Sequence, residues 1–271
     1  MHELLLYGQV PRARHELVLK ILAGVAAMQP RRILERHIVY KPQREPEEPG
    51  SNLRRGGTQA VAGDKKNRQV APKELCYTQL VQQLMEKDFG SNNDQQQGNV
   101  DALTAKTDAS GPQWAWVFHD IPDAGDRGVL VRLASSSEVA EGKPHDYVVA
   151  AGNKFVSEYY VEGHRFVLGS VILFLHRVLQ EPGVRVIETT PKSALPAFAA
   201  LEPLDPSGQY LLEAKIRVSD LNTPAVVEGG IEELKKFKQS MVGCVELFVP
   251  DRLQLDTRVK YKPKPVAHPG R

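Results

Sequence analysis

The chain has 271 residues, 41% of them apolar and 25% charged, a balance that excludes wholesale disorder and predicts a folded core. Its 35 basic residues nearly match 33 acidic ones, and a formal charge of +2 excludes the strongly basic balance that by itself points to nucleic acid. Two distant cysteines, Cys76 and Cys244, argue against a disulfide scaffold and a structural zinc site. The longest apolar run, residues 166–175, falls short of the ~20 residues of a bilayer span and is followed by His176 and Arg177. Glu3 sits in a strand-like opening segment, which does not suit a signal peptide. The expectation is a soluble intracellular protein with no membrane partner.

Residues 1–9 read as a strand whose Leu4, Leu5, Leu6 and Tyr7 end at Gly8, with Pro11 as the breaker. Val18, Ile21, Leu22, Val25 and Met28 recur at helical spacing and predict a helix that stops before Pro30. Residues 33–40 form a second strand, with Ile38 and Tyr40 on one face and His37 and Val39 on the other. Residues 41–72 are rich in Pro, Gly, Gln and Arg and almost free of large apolar side chains. Such a stretch cannot bury enough surface to offset its ordering entropy, so disorder is predicted. Leu75, Leu80, Leu84 and Met85 then predict a short amphipathic helix over residues 74–87. A second polar tract over 88–112, containing the run Asn92-Asn93-Asp94-Gln95-Gln96-Gln97, again reads as flexible. The two tracts form one long insertion within a single domain covering 1–271.

Trp114-Ala115-Trp116-Val117-Phe118 is aromatic and β-forming, the turn residues of 122–128 follow, and 128–133 returns as the second arm of a hairpin. Residues 146–151 are apolar. Residues 155–161 read as a strand, Glu162-Gly163-His164 as a compact turn, and 165–179 as a long returning arm. In that arm Val167, Val171, Leu173 and Leu175 share one face, and Phe166, Leu168, Ile172 and Phe174 the other. A strand apolar on both faces belongs inside a sheet with material above and below it. Residues 184–187 add a further strand, and Pro191, Pro196, Pro203 and Pro206 mark a loop. Over 210–218 alternation is regular: Tyr210, Leu212, Ala214, Ile216 and Val218 share one face, and Glu213, Lys215 and Arg217 the other. A helix over 228–242 buries Ile231, Leu234, Phe237 and Met241. A last strand at 245–249 leads into a flexible basic tail over 258–271 with Lys260, Lys262 and Lys264.

No nucleotide-binding, metalloprotease, nucleophile-elbow or CxxC motif is present, so no catalytic, cofactor-binding or metal-ligating residue is assigned. The eight histidines, His2, His15, His37, His119, His145, His164, His176 and His268, lack metal-ligand spacing and read as surface or core-satisfied side chains. Many strands with few helices could close into a barrel. A triphosphate-binding tunnel needs carboxylates and cations aimed inward together, supplied by Glu-x-Glu-x-Lys on an early strand. The first strand offers only Glu3, Leu5 and Tyr7 on one face, with Leu4 and Leu6 on the other. The nearest substitute, Glu213, Lys215 and Arg217, reads as a solvated or ion-paired face.

Several segments together are similar to the Mediator of RNA polymerase II transcription subunit 18 family, of fungal type. They are Glu3-Leu4-Leu5-Leu6-Tyr7-Gly8 with its helix, Asp126-Arg127-Gly128-Val129-Leu130-Val131-Arg132, residues 147–152, Phe155-Val156-Ser157-Glu158-Tyr159-Tyr160-Val161-Glu162-Gly163-His164-Arg165-Phe166, and Tyr210-Leu211-Leu212-Glu213 with the following helix. The resemblance implies a mainly β fold, an antiparallel closed or nearly closed β-barrel with flanking helices, similar to the RNA triphosphatase tunnel fold. It implies a non-catalytic structural subunit of the Mediator head module, a nuclear coregulator without cofactor. Its implied partners are Mediator subunit 20 as a heterodimer, the C-terminal helix of Mediator subunit 8, other head-module subunits and, indirectly, RNA polymerase II. No interface residue carries over, and direct nucleic-acid contact is not expected. The alternatives are a triphosphate-tunnel phosphohydrolase using Glu213 and Lys215, and a nucleic-acid-binding module using Arg54-Arg55, Lys65-Lys66 and the basic tail.

Overall fold

Alternation of apolar side chains along strand after strand is resolved by closing one sheet on itself. The computed structural model describes residues 1–46, 74–90, 114–139, 143–183, 189–219 and 221–262. Its strands are β1 (His2–Val10), β2 (Arg31–Pro42), β3 (Thr78–Leu84), β4 (Trp114–His119), β5 (Leu130–Val139), β6 (Asn153–Leu168), β7 (Val171–Gln180), β8 (Glu202–Pro203), β9 (Tyr210–Val218) and β10 (Leu247–Phe248). The helices are α1 (His15–Ala26), α2 (Pro144–Ala150) and α3 (Pro224–Ser240). All ladders are antiparallel, and the neighbour sequence β1-β5-β4-β3-β2-β6-β7-β9 returns to β1, which closes an eight-stranded barrel. Closure removes most of the unpaired edges an open sheet would expose.

The larger apolar core lies outside the barrel wall, under the helices. Leu4 and Leu6 of β1, Leu212, Ala214 and Ile216 of β9, and Leu173 and Leu175 of β7 point outward and pack with Val18 and Leu22 of α1 and Val227, Ile231, Leu234 and Phe237 of α3. The α3 stripe follows the predicted periodicity, continues to Met241, and begins earlier, at Pro224. In α1 only Val18 and Leu22 are buried, whereas Val25 of the predicted stripe is exposed. The helix ends at Ala26 and is capped by Ala27, whose φ of 50° is left-handed. A second outer cluster gathers Leu34, Leu84, Tyr160, Leu179 and Leu195, and a third gathers Ile38, Tyr40, Leu80 and Val148 of α2. Arg36, itself buried, bonds Glu158 at 2.5 Å and the Lys192 carbonyl at 2.7 Å, tying the loop before β8 to this wall.

Two sequence expectations change, and one segment described only as apolar takes a defined form. Residues 74–87 do not form a helix: Thr78–Leu84 is β3, buried outward through Leu80, Gln82 and Leu84. The apolar segment 146–151 is mostly α2. Glu162-Gly163-His164 is not a turn but lies inside β6, paired with Arg177, His176 and Leu175 of β7. The chain reverses at Gly169 and Ser170, between the paired Leu168 and Val171. Gly169 has a φ of +58°, a conformation that a side chain disfavours, as a two-residue hairpin turn requires. Gly163 serves close approach instead, because a Cβ there would lie 2.5 Å from the Leu175 carbonyl oxygen. Moving the turn exchanges faces: Phe166 pairs with Leu173 on the outer wall, and Val167 with Ile172 on the inner one.

β4 and β5 form a hairpin, but β4 pairs with residues 134–139, beyond the predicted arm 128–133, whose residues 130–133 pair with β1 instead. The last strand shrinks to Leu247–Phe248, paired to Tyr7 and Gly8. Most of the 41–72 and 88–112 tracts, the predicted 184–187 strand and residues 263–271 of the tail lie outside the described residues. Among the described residues, no helix is long and apolar enough to cross a membrane.

Candidate functional site

Every second residue of the eight strands faces the barrel interior, and there the charged residues converge. On β1 the inward set is Glu3, Leu5 and Tyr7, as alternation predicts, and its partners in register are Arg217, Lys215 and Glu213 of β9. On the other side Glu3 pairs with Arg132 of β5. Its carboxylate is almost fully buried and accepts two bonds on Oε2, from Arg132 Nε at 2.9 Å and Nη2 at 2.7 Å. Oε1 faces Arg217 Nε at 3.4 Å and Lys215 Nζ at 3.8 Å. Lys215 Nζ reaches Glu213 Oε1 at 2.8 Å, and the Tyr7 hydroxyl donates to Glu213 Oε2 at 3.3 Å. The face formed by Glu213, Lys215 and Arg217 is therefore an ion-paired one, and it points inward.

A second group lies across the interior on β2, β3 and β6. His37 Nε2 contacts Glu35 Oε2 at 3.1 Å and its Nδ1 contacts Gln79 Oε1 at 3.0 Å. The Tyr159 hydroxyl also reaches Gln79 Oε1, at 3.4 Å, and its ring stacks on His37 with centroids 4.9 Å apart. The turn Arg252–Leu255 brings Leu255 against the buried cluster of Leu5, Tyr7 and Leu130, on which Leu211 also packs. Thr257 then donates to the His119 carbonyl at 2.7 Å, and the backbone of Tyr77 donates to that of Thr257 at 2.8 Å.

Electrostatics follow from this packing. For Glu213, burial opposes ionisation, but Lys215, Arg132 and His176 outweigh it and hold the carboxyl near 2. For Glu3, burial is likewise outweighed by Lys215 and Arg132, and the carboxyl stays below its ordinary value. His119, whose Nε2 stands 4.0 Å from Glu3, is pushed down to about 4, first by burial and then by Arg132. Burial also lowers His176 and raises the Tyr7 hydroxyl.

These charges are paired with one another. Each acid of the Glu3–Glu213 group is held by Lys215, Arg132 or Arg217, so the cations that a phosphate would need are engaged by carboxylates of the protein itself. Among the described residues no group of three or more His, Cys, Asp or Glu is placed to hold a metal. The interior is thus a polar core that sets strand register. Arg132, His119, Glu35, His37 and Tyr159 join it without any signal in local spacing. Not all histidines are satisfied: His15 stacks on Tyr210 at 3.9 Å and lies 6.0 Å from His164, and each ring keeps a buried nitrogen without a hydrogen-bond partner among the described residues, Nε2 in His15 and Nδ1 in His164.

The Med18 protein family model matches residues 2–258. The Mediator of RNA polymerase II transcription subunit 18 of Coccidioides immitis (strain RS) is 38% identical over 273 residues, covering 96% of this chain and 100% of the relative. That of Aspergillus oryzae (strain ATCC 42149 / RIB 40) is 36% identical over 276 residues, with 96% and 100% covered. A chain in the structure of the Schizosaccharomyces pombe Mediator head module superposes with a TM-score of 0.63 at 19% identity, covering 92% of this chain and 99% of that one, and so shares the fold. With the family model spanning nearly the whole chain and relatives above one third identity, this chain belongs to the Mediator subunit 18 family.

Proposed function

We propose that this protein is a non-catalytic structural subunit of the Mediator head module, acting in the nucleus as a transcription coregulator that helps link regulators to RNA polymerase II. The observation that carries this reading is end-to-end similarity to relatives named as Mediator subunit 18, joined to the barrel fold shared with a chain of the head module. The interior supports it independently, because its charges are spent on each other. Its surface is the working part. We assign Mediator subunit 20 as its heterodimer partner and the C-terminal helix of Mediator subunit 8 as its tether.

Co-expression with subunit 20 is expected to yield a 1:1 complex on size-exclusion chromatography, and the chain expressed alone is expected to aggregate. A soluble monomer with no affinity for that partner would overturn the assignment. The phosphohydrolase alternative requires metal-dependent phosphate release from triphosphate-ended RNA that is lost on changing Glu213 and Lys215. No such release is expected.

A further inference from the structure

The first turn of α1 is seated on the barrel by aromatic packing and not by a cap. Its N-cap residue, Arg14, makes no side-chain capping bond, and the buried residues of the helix are Val18 and Leu22. Ahead of Val18, the largely buried His15 ring lies on Tyr210 of β9, with centroids 3.9 Å apart and planes 23° from parallel. His164 of β6 faces the same ring at 6.0 Å and 44°. It shares the outer face of the wall with Phe166, two residues on, and stands in register between Arg32 of β2 and Leu175 of β7.

This seam is poorly made for an added positive charge. Glu162, on the same face of β6, is already divided between two arginines. Its Oε1 accepts from Arg32 Nη2 at 3.2 Å, and its Oε2 from Arg177 Nε at 3.2 Å and Nη2 at 2.9 Å. Arg32 also donates to Glu86 at 2.6 Å, and the Arg177 guanidinium lies 5.2 Å from the Tyr210 ring centre. Arg12, in the turn before α1, adds a further positive charge near Tyr210. On α1 itself the exposed Glu16 stands 3.6 Å from His15 Nδ1. A neutral imidazole can leave one nitrogen as an idle lone pair. An imidazolium makes both nitrogens donors, and Nδ1 of His164 is buried with no acceptor among the described residues. Burial first, then His15 and Arg32, hold His164 below its ordinary value, against the opposing pull of Glu162 and Glu16.

We propose that His164 is a proton-operated latch for the first turn of α1. While the ring is neutral, the turn stays seated through His15 on Tyr210 and β6. When the ring takes up a proton, the turn lifts from the wall, so that Nδ1 reaches water. A ring lowered in the seated state and returned to 6.5 on release gains a proton as the turn opens. Seating is therefore complete above pH 6.5 and weakens as pH falls below it. The latch goes beyond the function proposed above and does not depend on which partners the protein has.

Residue-resolved hydrogen exchange on the full chain, corrected for the intrinsic effect of pH on exchange, tests the latch. The amides of Leu19, Lys20 and Ile21 close the first turn of α1 onto the carbonyls of His15, Glu16 and Leu17. Between pH 7.5 and pH 5.5 their protection should fall by up to about tenfold, the ceiling for one proton at one unit below 6.5. His164→Gln should abolish that fall, whereas His119→Gln should leave it in place. The imidazole C–H resonances of His164 in the unaltered chain give a second reading, and their titration should coincide with the loss of protection. If His164→Gln does not fold, the coincidence of those two curves decides. Protection that is unchanged at pH 5.5 overturns the latch. So does a fall that survives His164→Gln, or a His164 ring that titrates while the first turn stays protected.

Discussion

Glu3 shows how a single side chain holds three strands in register. Its carboxylate joins β1 to β5 through Arg132 and to β9 through Lys215 and Arg217. A buried ion pair contributes little net stability compared with an apolar packing of equal volume, but removing one partner strands the other charge. Glu3→Ala is therefore expected to cost about 3–5 kcal/mol in urea denaturation. Changing Glu3 and Arg132 together to apolar residues should recover much of that loss. Two titrations with large shifts contribute to the pH dependence. His119 falls from 6.5 to about 4 in the fold, so between those values the unfolded chain binds a proton that the folded one does not. Stability then declines as pH drops through that window. Glu213, lowered from 4.5 to about 2, extends the decline below pH 4.5. Thermal midpoints measured from pH 7 to pH 4 should fall steadily, and His119→Gln should flatten the upper part of the curve. Of this site the sequence made legible that Glu213, Lys215 and Arg217 share one face of their strand and that Glu3, Leu5 and Tyr7 share one face of theirs, because alternation sets it, but not that the first of these faces points inward. Their convergence with Arg132 was hidden, since residues so far apart in the chain meet only through ladder pairing.

At the scale of elements, the β6–β7 hairpin depends on its turn and on α3 beneath it. The backbone N–H of Ser170 donates to Glu233 of α3 at 2.8 Å, and a Cβ on Gly169 would sit 2.7 Å from that same carboxylate oxygen. Gly169→Val combines a disfavoured φ with displacement of Glu233 and should cost about 1–3 kcal/mol. Glu233→Ala removes only the capping bond and should cost about 1 kcal/mol, both read from equilibrium unfolding. The misplaced turn has a physical cause. Glu162-Gly163-His164 is the more turn-like triplet by composition, but its glycine answers close packing against Leu175 and His176 instead of chain reversal. β3 was misread for a related reason. Val81 shares the inward face with Gln79 and Gln83, and Gln82 the outward face with Leu80 and Leu84, so apolar–polar alternation is broken and the leucines imitate a helical stripe.

For the whole molecule, closure inverts the usual arrangement of a small β domain. The barrel interior holds a cluster of ion pairs beside a small apolar cluster, and the larger apolar layer lies outside it, under α1 and α3. Those helices cover only part of the wall, which leaves Tyr147, Val149 and Val156 exposed around α2 and Leu17 and Val25 exposed on α1. A partner that covers such surface binds only the folded state and stabilises it by mass action. The thermal midpoint of the complex proposed with subunit 20 should therefore rise with the concentration of the complex, and that of the isolated chain should not.

The sequence by itself determined the strand-rich class, both long helices, the faces of β1 and β9 and the family, because each depends on local periodicity or on the order of motifs. Barrel closure, the true hairpin turn, the strand identity of β3 and the ion-paired interior were decided only by tertiary structure. Each of them rests on pairing between residues distant in the chain, and the energy of that pairing appears in no single segment.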